Sequence, residues 1–269
     1  LDRSQYCVTF DLWQTLIFDN PEDDGVRGQK RCENLQKVLS DLGIALPLSD
    51  LQRAHEESAS HLQAVWRRNG EVSTIDQIQL IVQLASGRRV DLEGDSRTVE
   101  MLQSAYVDPL FAFPPRLNEG AKETLEAMKE RVHKIGLISN TGRSPGVALR
   151  RFLEGLGILK FFDVTVFSDE AKCRKPNRGI FDLAARELGA RLGDIVHIGD
   201  NPEADIWGAK QAGMRAVLYD YPVPEEFKRK PGSLFALSRT DRQVPDSQIV
   251  PDARITSLKD AVGFVDSLA

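Results

Sequence analysis

The sequence predicts a doubly wound α/β fold, a parallel sheet with helices on both faces, interrupted by an all-helical insertion. Three observations carry this expectation. Short runs rich in Val and Ile alternate with amphipathic helical stretches, the rhythm of repeated β-α-β units. Each apolar run stops at once in polar or glycine residues, as buried parallel strands do. Between about residues 20 and 113 the rhythm breaks and only helical periodicity remains.

The elements follow in order. The first strand is expected at residues 8–10, inside Tyr6-Cys7-Val8-Thr9-Phe10, and runs directly into Asp11-Leu12-Trp13-Gln14-Thr15-Leu16. In the insertion, Leu35, Val38, Leu39 and Leu42 form one apolar helical face. Leu51, Ala54, Leu62 and Val65 form another, with Ser58 on the same stripe. Two more helices are expected over residues 75–84 and 99–110, and Pro114-Pro115 closes the segment as a hinge or linker. Strands at 134–138, 164–167, 195–198 and 216–218 then alternate with helices at 120–131, 147–156, 180–188 and 205–212. A surface loop is expected over 222–251, rich in Pro and charged residues, before a last helix at 257–268. The resulting division is a discontinuous core of residues 1–19 and 114–269 and a helical unit of residues 20–113. That unit is either a lid or a set of helices packed rigidly on the sheet.

Composition bounds the function. The chain has 269 residues, 41% hydrophobic and 28% charged, with a net charge of -5 and a pI near 5.5. That balance argues against a general nucleic-acid or membrane-surface binder. No apolar run approaches the roughly 20 residues of a membrane span. Cys7, Cys32 and Cys173 are odd in number and widely spaced, so free thiols of a reducing compartment are expected rather than a disulfide frame or zinc site. The polar opening Leu1-Asp2-Arg3-Ser4-Gln5 is unlike a secretory leader, and a cytoplasmic location is expected.

Four expected strand tips carry polar groups, and tips of parallel sheets are where ligands collect. The first presents Asp11 and Thr15, the second Ser139-Asn140. A third region, Ser168 to Pro176, offers Lys175 just before a helix. The fourth, Ile198-Gly199-Asp200-Asn201-Pro202-Glu203-Ala204-Asp205, presents two acids five apart. Taken singly, each has an ordinary structural explanation: strand-end or helix caps for Ser139, Thr15 and Asp200, and a solvated surface charge for Lys175. Their joint order and spacing favour a site. Asp11 is suited to nucleophilic attack and metal ligation, Asp200 to a second carboxylate on Mg²⁺, and the Trp13 carbonyl to a third oxygen. Asp205 completes the candidate metal set, more from behind the ligands than among them. Lys175 would neutralise the acids and phosphoryl oxygens, and Ser139 would hydrogen-bond those oxygens, with Thr15 and Asn140 as further substrate contacts.

In chain order these segments resemble the four motifs of the haloacid dehalogenase superfamily, over residues 8–16 and about 115–219. Gly199-Asp200, Asp205, Gly208-Ala209 and Ala212-Gly213 carry the most specific part. The resemblance implies a Rossmann-like core with a helical cap inserted after the first motif. It also implies a Mg²⁺-dependent hydrolase of small phosphorylated metabolites working through an aspartyl-phosphate. Phosphatases of the family usually carry Asp two residues after the nucleophile, where this chain has Trp13. Indole donates a hydrogen bond but does not titrate near neutrality, so it shuttles no proton. Family dehalogenases look similar here, with an aromatic residue at that place and Ser-Asn in the second motif, but they use no metal. Without a cation, Asp200 would repel Asp11. Phosphoryl transfer therefore ranks first, 2-haloacid dehalogenation second, and a ligand-binding member with weak or no turnover third. Milder departures are Asn177-Arg178 after Lys175-Pro176, and Lys172 where Gly is common. Arg27, Lys30 and Arg31 are expected on a solvated helix face, with a grip on an anionic substrate as the sharper alternative. Trp66, Trp207 and the Phe residues are expected to be core or packing groups, not a stacking platform.

Overall fold

The computed structural model describes residues 5–19, 21–90, 92, 95–220 and 243–268. After strand β1 (Cys7–Phe10) come the two-residue β2 (Ile17–Phe18) and helices α1 (Pro21–Asp41), α2 (Leu48–Trp66), α3 (Thr74–Ser86), α4 (Ser96–Val107) and α5 (Pro109–Ala112). The chain continues through β3 (Arg116–Leu117), α6 (Ala121–Arg131), β4 (Ile135–Ser139), α7 (Gly146–Gly155), β5 (Val164–Phe167), α8 (Ser168–Ala171) and α9 (Arg178–Leu188). It ends with β6 (Ile195–Gly199), a π-helical turn (Pro202–Trp207), α10 (Gly208–Ala212), β7 (Arg215–Tyr219), β8 (Ala253–Ile255) and α11 (Asp260–Asp266).

Six parallel strands form one sheet in the order β5-β4-β1-β6-β7-β8. Every residue of β1, β4 and β6 is buried, which is why these strands read as mainly apolar runs without strict alternation. Alternation still sorts their side chains between two layers. Val8, Phe10, Val196 and Ile198 pack with Leu125, Met128, Leu149, Leu153 and Val265, from α6, α7 and α11. Cys7 and Ile195 face the opposite layer with Ile180, Phe181, Ala184, Leu188 and Ala209, from α9 and α10. The doubly wound α/β architecture is therefore present. Because β1 lies between β4 and β6, chain connections diverge on either side of it, and its carboxyl end opens a crevice between two strand tips.

The five helices between β2 and β3 form the all-helical insertion, with a core of its own that includes Leu35, Leu39, Leu51, Ala54, Ile78, Ile81, Leu102 and Tyr106. Side-chain caps set two starts: Ser73 accepts from Asp76 N and Asp95 accepts from Thr98 N. The expected apolar faces run slightly too far. Leu42 lies beyond the end of α1 and Val65 in the last turn of α2, and both are exposed. Entry to and exit from the insertion are laced together, since β2 pairs antiparallel with β3, Ile17 opposite Leu117 and Phe18 opposite Arg116. Asn118 strengthens this neck by donating to Thr15 O at 2.8 Å.

Several elements differ from expectation, among them the short pair β2 and β3. The expected helix at 205–212 is a π-helical turn followed by a shorter α-helix, because Asp205 is drawn back toward the sheet. An unexpected strand, β8, adds at the edge beside β7. Residues 222–242 of the expected loop lie outside the described residues, as do Leu1 to Ser4; residues 246–248 form a single 3₁₀ turn. Among the described residues, no helix is long and apolar enough to cross a membrane.

Candidate active site

Sheet register places the first group. The Asp11 amide donates to Ile198 O at 2.9 Å, fixing the β1 tip against β6, and the Asp11 side chain is 8% exposed. The following residues wind about a single acceptor, with the amides of Leu16 and Ile17 donating to Leu12 O at 2.9 and 3.0 Å. Gln14 sits in this tight turn in the left-handed region, with φ 63°.

Lys175 comes to the same point from the opposite layer. Its Nζ donates to Asp11 Oδ1 at 2.5 Å and Ile138 O at 2.6 Å, and lies 2.8 Å from Asp205 Oδ1. Three donors thus meet three acceptors, which makes burial of the ammonium tolerable. Its backbone is clamped by Asn140, whose Oδ1 accepts from Lys175 N at 2.8 Å and whose Nδ2 donates to Lys175 O at 2.9 Å. Asn140 thereby aims Lys175. Close approach of this segment to α10 depends on Gly208, where a Cβ would lie 2.9 Å from Pro176 Cα. Upstream, Lys172 holds φ 57°, a left-handed position that suits glycine.

Asp205 is held from several sides. Its Oδ1 lies 3.2 Å from His197 Nε2, its Oδ2 accepts from Asn201 N at 2.8 Å, and Thr9 Oγ1 lies 2.9 Å from His197 Nδ1. A Cβ on Gly199 would fall 2.3 Å from Asp205 Cγ, so glycine is required for the carboxylate to lie there. Thr9 and His197 were not visible as site residues from sequence. They face one another in the β1–β6 register, and the signal was a pair of polar residues inside two apolar strands.

Asp11, Asp200 and Asp205 are all buried, and each offers an oxygen within 4.8 Å of the others. An all-oxygen, multiply anionic set of this kind fits a hard divalent cation such as Mg²⁺. Asp205 already uses both oxygens on protein donors, so Asp11 and Asp200 are the better direct ligands, with Asp205 orienting the lysine. Burial, with Asp205 and Asp200 adding to it against Lys175, pushes Asp11 up to about 8 in the bare protein. Burial also acts on Asp205, but Lys175 and His197 outweigh it and hold that carboxyl well below its usual range.

These groups open on a cavity of about 550 Å³ walled by both the sheet tips and the insertion. Asp11, Trp13, Asn140, Lys175, Asp200 and Asp205 all line it. Thr15 and Ser139 do not. Both are fully buried, Ser139 Oγ lies 3.5 Å from Asn140 O, and Thr15 Oγ1 has no described hydrogen-bond partner. Their places on the wall are taken by Gln14 and by Thr141, Gly142, Arg143 and Ser144. Arg27 and Arg31 also line the cavity and are 1% and 3% exposed, which corrects the expectation of a solvated face; Lys30 does lie on the exposed side. Arg27 is ion-paired to Asp19, whose carboxyl burial pushes up to about 6. Arg174, paired with Glu71 at 2.7 Å and stacked 4.5 Å above Trp66, and Gln77, donating to Gly142 O at 2.9 Å, tie the insertion to the core. Trp66 and Trp207 both line the cavity, and Trp207 also packs against the core layer of α9 and α10.

Residues 7–213 match the family model of haloacid dehalogenase-like hydrolases. A glyceraldehyde 3-phosphate phosphatase of Methanopyrus kandleri is 34% identical over 244 residues, covering 90% of this chain and 91% of the relative. Among solved structures, a HAD-hydrolase of Bacillus subtilis bound to magnesium superposes with a TM-score of 0.57 at 17% identity, covering 98% of this chain and all of the other. An L-2-haloacid dehalogenase of Xanthobacter autotrophicus superposes with 0.59 at 16% identity, over 99% of this chain and all of the other. At these identities the two structures speak to the fold. The family model and the full-length relative, together with the tip-borne acids and buried lysine, place this chain among the haloacid dehalogenase-like hydrolases.

Proposed function

We propose that the protein is a Mg²⁺-dependent phosphatase of small phosphorylated metabolites, with Asp11 as nucleophile. The observation that carries this reading is the convergence of Asp11, Asp200 and Lys175 on one cavity floor. The Methanopyrus relative, named a phosphatase, supports it. Asp11, Asp200 and the Trp13 carbonyl would hold the ion, with Asp205 behind them; bound there, the ion offsets the negative charge of acids and phosphoryl group. An Asp11 oxygen attacks phosphorus, the bond to the leaving oxygen breaks, and an aspartyl-phosphate forms. Water then attacks that phosphorus and releases Asp11 and phosphate. Lys175 balances charge throughout, and Asn140 keeps it aimed. Trp13 donates no proton to the departing oxygen, so good leaving groups are favoured. The insertion, residues 20–113 against a core of 1–19 and 114–269, serves as the cap that limits water during attack. The partner is a small-molecule substrate, not nucleic acid or membrane, and the compartment is the cytoplasm.

The test is turnover of an aryl phosphate with and without Mg²⁺, and capture of beryllium fluoride. Activity lost in EDTA and regained with Mg²⁺, together with capture abolished in Asp11→Asn, is expected. Undiminished turnover by Asp11→Asn would overturn the scheme. Trp13 on the cavity wall favours one second reading, displacement of halide from a 2-haloacid, because halide leaves without a proton. Chloride release in the presence of chelator would select it.

A further inference from the structure

The charges lining the cavity are not evenly paired. Lys175 is shared by Asp11 and Asp205, Arg27 is paired with Asp19, and Arg174 with Glu71. Arg31 and Arg143 also line the cavity, at 3% and 7% exposure. Among the described residues, no carboxylate lies within ion-pair distance of either. Arg31 comes from the insertion, Arg143 from the loop after β4, and Tyr106 joins them. Arg31 Nε donates to Tyr106 O at 3.2 Å, with its guanidinium 5.5 Å from the ring, and Arg143 Nη1 donates to the Tyr106 hydroxyl at 2.8 Å. Arg143 Nη2 is held by His55 O and Ser58 Oγ at 2.9 and 3.0 Å. Among the described residues, Arg31 makes no side-chain hydrogen bond beyond that from Nε, so its terminal NH₂ groups have no protein acceptor.

Burying two guanidinium groups with no carboxylate in contact is costly unless something anionic joins them, and Asp24 and Asp19 act on Arg31 only from beyond ion-pair distance. Their field is felt nearby: burial, then Arg143 and Arg31, holds the His55 imidazole well below its ordinary value. A guanidinium fork matches the two oxygens of a carboxylate or phosphate, which a neutral hydroxyl or carbonyl does not. We infer that Arg31 and Arg143 form a second anion subsite, so the preferred substrate is a phosphomonoester whose leaving group carries its own carboxylate or phosphate. This rests on the phosphatase reading and adds its substrate class.

The experiment compares matched pairs differing only in the second charge: phosphoglycolate against its uncharged amide, and propane-1,3-diol bisphosphate against the monophosphate. kcat/KM is measured for wild type, Arg31→Gln and Arg143→Gln, with folding checked by circular dichroism. Kd is measured by calorimetry in the Asp11→Asn background, which needs no turnover. Wild type is expected to prefer at least one charged member by about 10- to 100-fold, the worth of one or two charge-assisted hydrogen bonds. Which pair shows it tells carboxylate from phosphate. Arg31→Gln is expected to bring the ratio near unity. Arg143→Gln should do the same, and if it fails to fold, Arg31→Gln decides alone. Equal handling of charged and neutral members in both readouts, or a preference that survives Arg31→Gln, overturns the subsite. Brisk turnover without preference removes the subsite and leaves the phosphatase reading standing. Preference in Kd without turnover in wild type does the reverse.

Discussion

The cavity floor and its roof both bury charge, but they do it differently. On the floor, Lys175 is enclosed by Asp11, Asp205 and the Ile138 carbonyl, so opposite charges and acceptors meet within a few ångströms. On the roof side, Arg31 and Arg143 converge on Tyr106, a neutral residue. The floor is positioned by strands, whose register leaves little freedom. The roof is built of helices with a core of their own, tied to the sheet through side chains such as Gln77, Arg143 and Arg174. A floor with an excess of acids around one lysine suits a cation and the phosphoryl group; a wall with an excess of guanidinium groups suits selection among anionic substrates.

That contrast can be broken most forcefully at Lys175. Lys175→Met removes the cation from a buried acid cluster, and removing one partner of such a pair costs about 3–5 kcal/mol. Urea unfolding should show that loss, with activity abolished, and added Mg²⁺ should recover part of the stability. A loss near zero would mean that the floor is not balanced by the lysine.

Asp19 sits between the two regions. Its carboxyl is pushed from 3.8 up to about 6 by burial, with Arg27 and Arg31 opposing and Asp24 adding. An acid with a raised folded-state pKa binds its proton more tightly when folded, so its contribution is fully present at low pH and is lost as pH rises from about 4 to 6. The swing is about 3 kcal/mol. The difference in unfolding free energy between wild type and Asp19→Asn, followed over that window, should carry this slope; parallel curves would refute it.

Trp13 sharpens the floor itself. With no acid two residues after Asp11, kcat/KM should depend steeply on leaving-group pKa. Trp13→Asp should raise alkyl phosphate hydrolysis more than aryl, by at most about 10²-fold, since general acid help is worth roughly 10²–10⁴ in a shell built for it. A shallow wild-type dependence would point to a donor elsewhere on the wall. The smallest effect is steric. Gly199→Ala puts a methyl where Asp205 Cγ lies only 2.3 Å from an ideal Cβ, and the forced shift should cost about 1–3 kcal/mol with weakened metal response. Thermal unfolding and Mg²⁺ titration read both.

The floor was more legible in the sequence than the roof, for physical reasons. β1, β4 and β6 are buried throughout, so they appear as apolar runs, and the polar residue that ends each run marks the crevice. Asp11, Asn140 and Asp200 follow directly from that. Thr15 and Ser139 belong to the same tips, but a tight turn and a strand end rotate them off the cavity wall, which depends on dihedral angles and not on order. His197 and Thr9 were hidden because a polar residue inside a strand has meaning only beside its partner in the next strand. The neck of β2 and β3 is too short to have a period at all, since Ile17 and Phe18 meet Leu117 and Arg116 across nearly a hundred residues. Arg31 lies on a helix whose charged and apolar residues are mixed, so its burial against Tyr106 became apparent only when distant helices were packed.

The neck has a further consequence. Because Ile17 and Phe18 stand opposite Leu117 and Arg116, the chain leaves the core and returns to it across two antiparallel residue pairs. Whatever is threaded between the two strands can be exchanged like a tool in a chuck. A graft of another helical unit there, or a short turn in its place, would leave the β1–β4 and β1–β6 registers untouched while replacing every insertion residue that a ligand meets. A chimaera built at this neck would test whether turnover stays with the core while substrate preference follows the insertion.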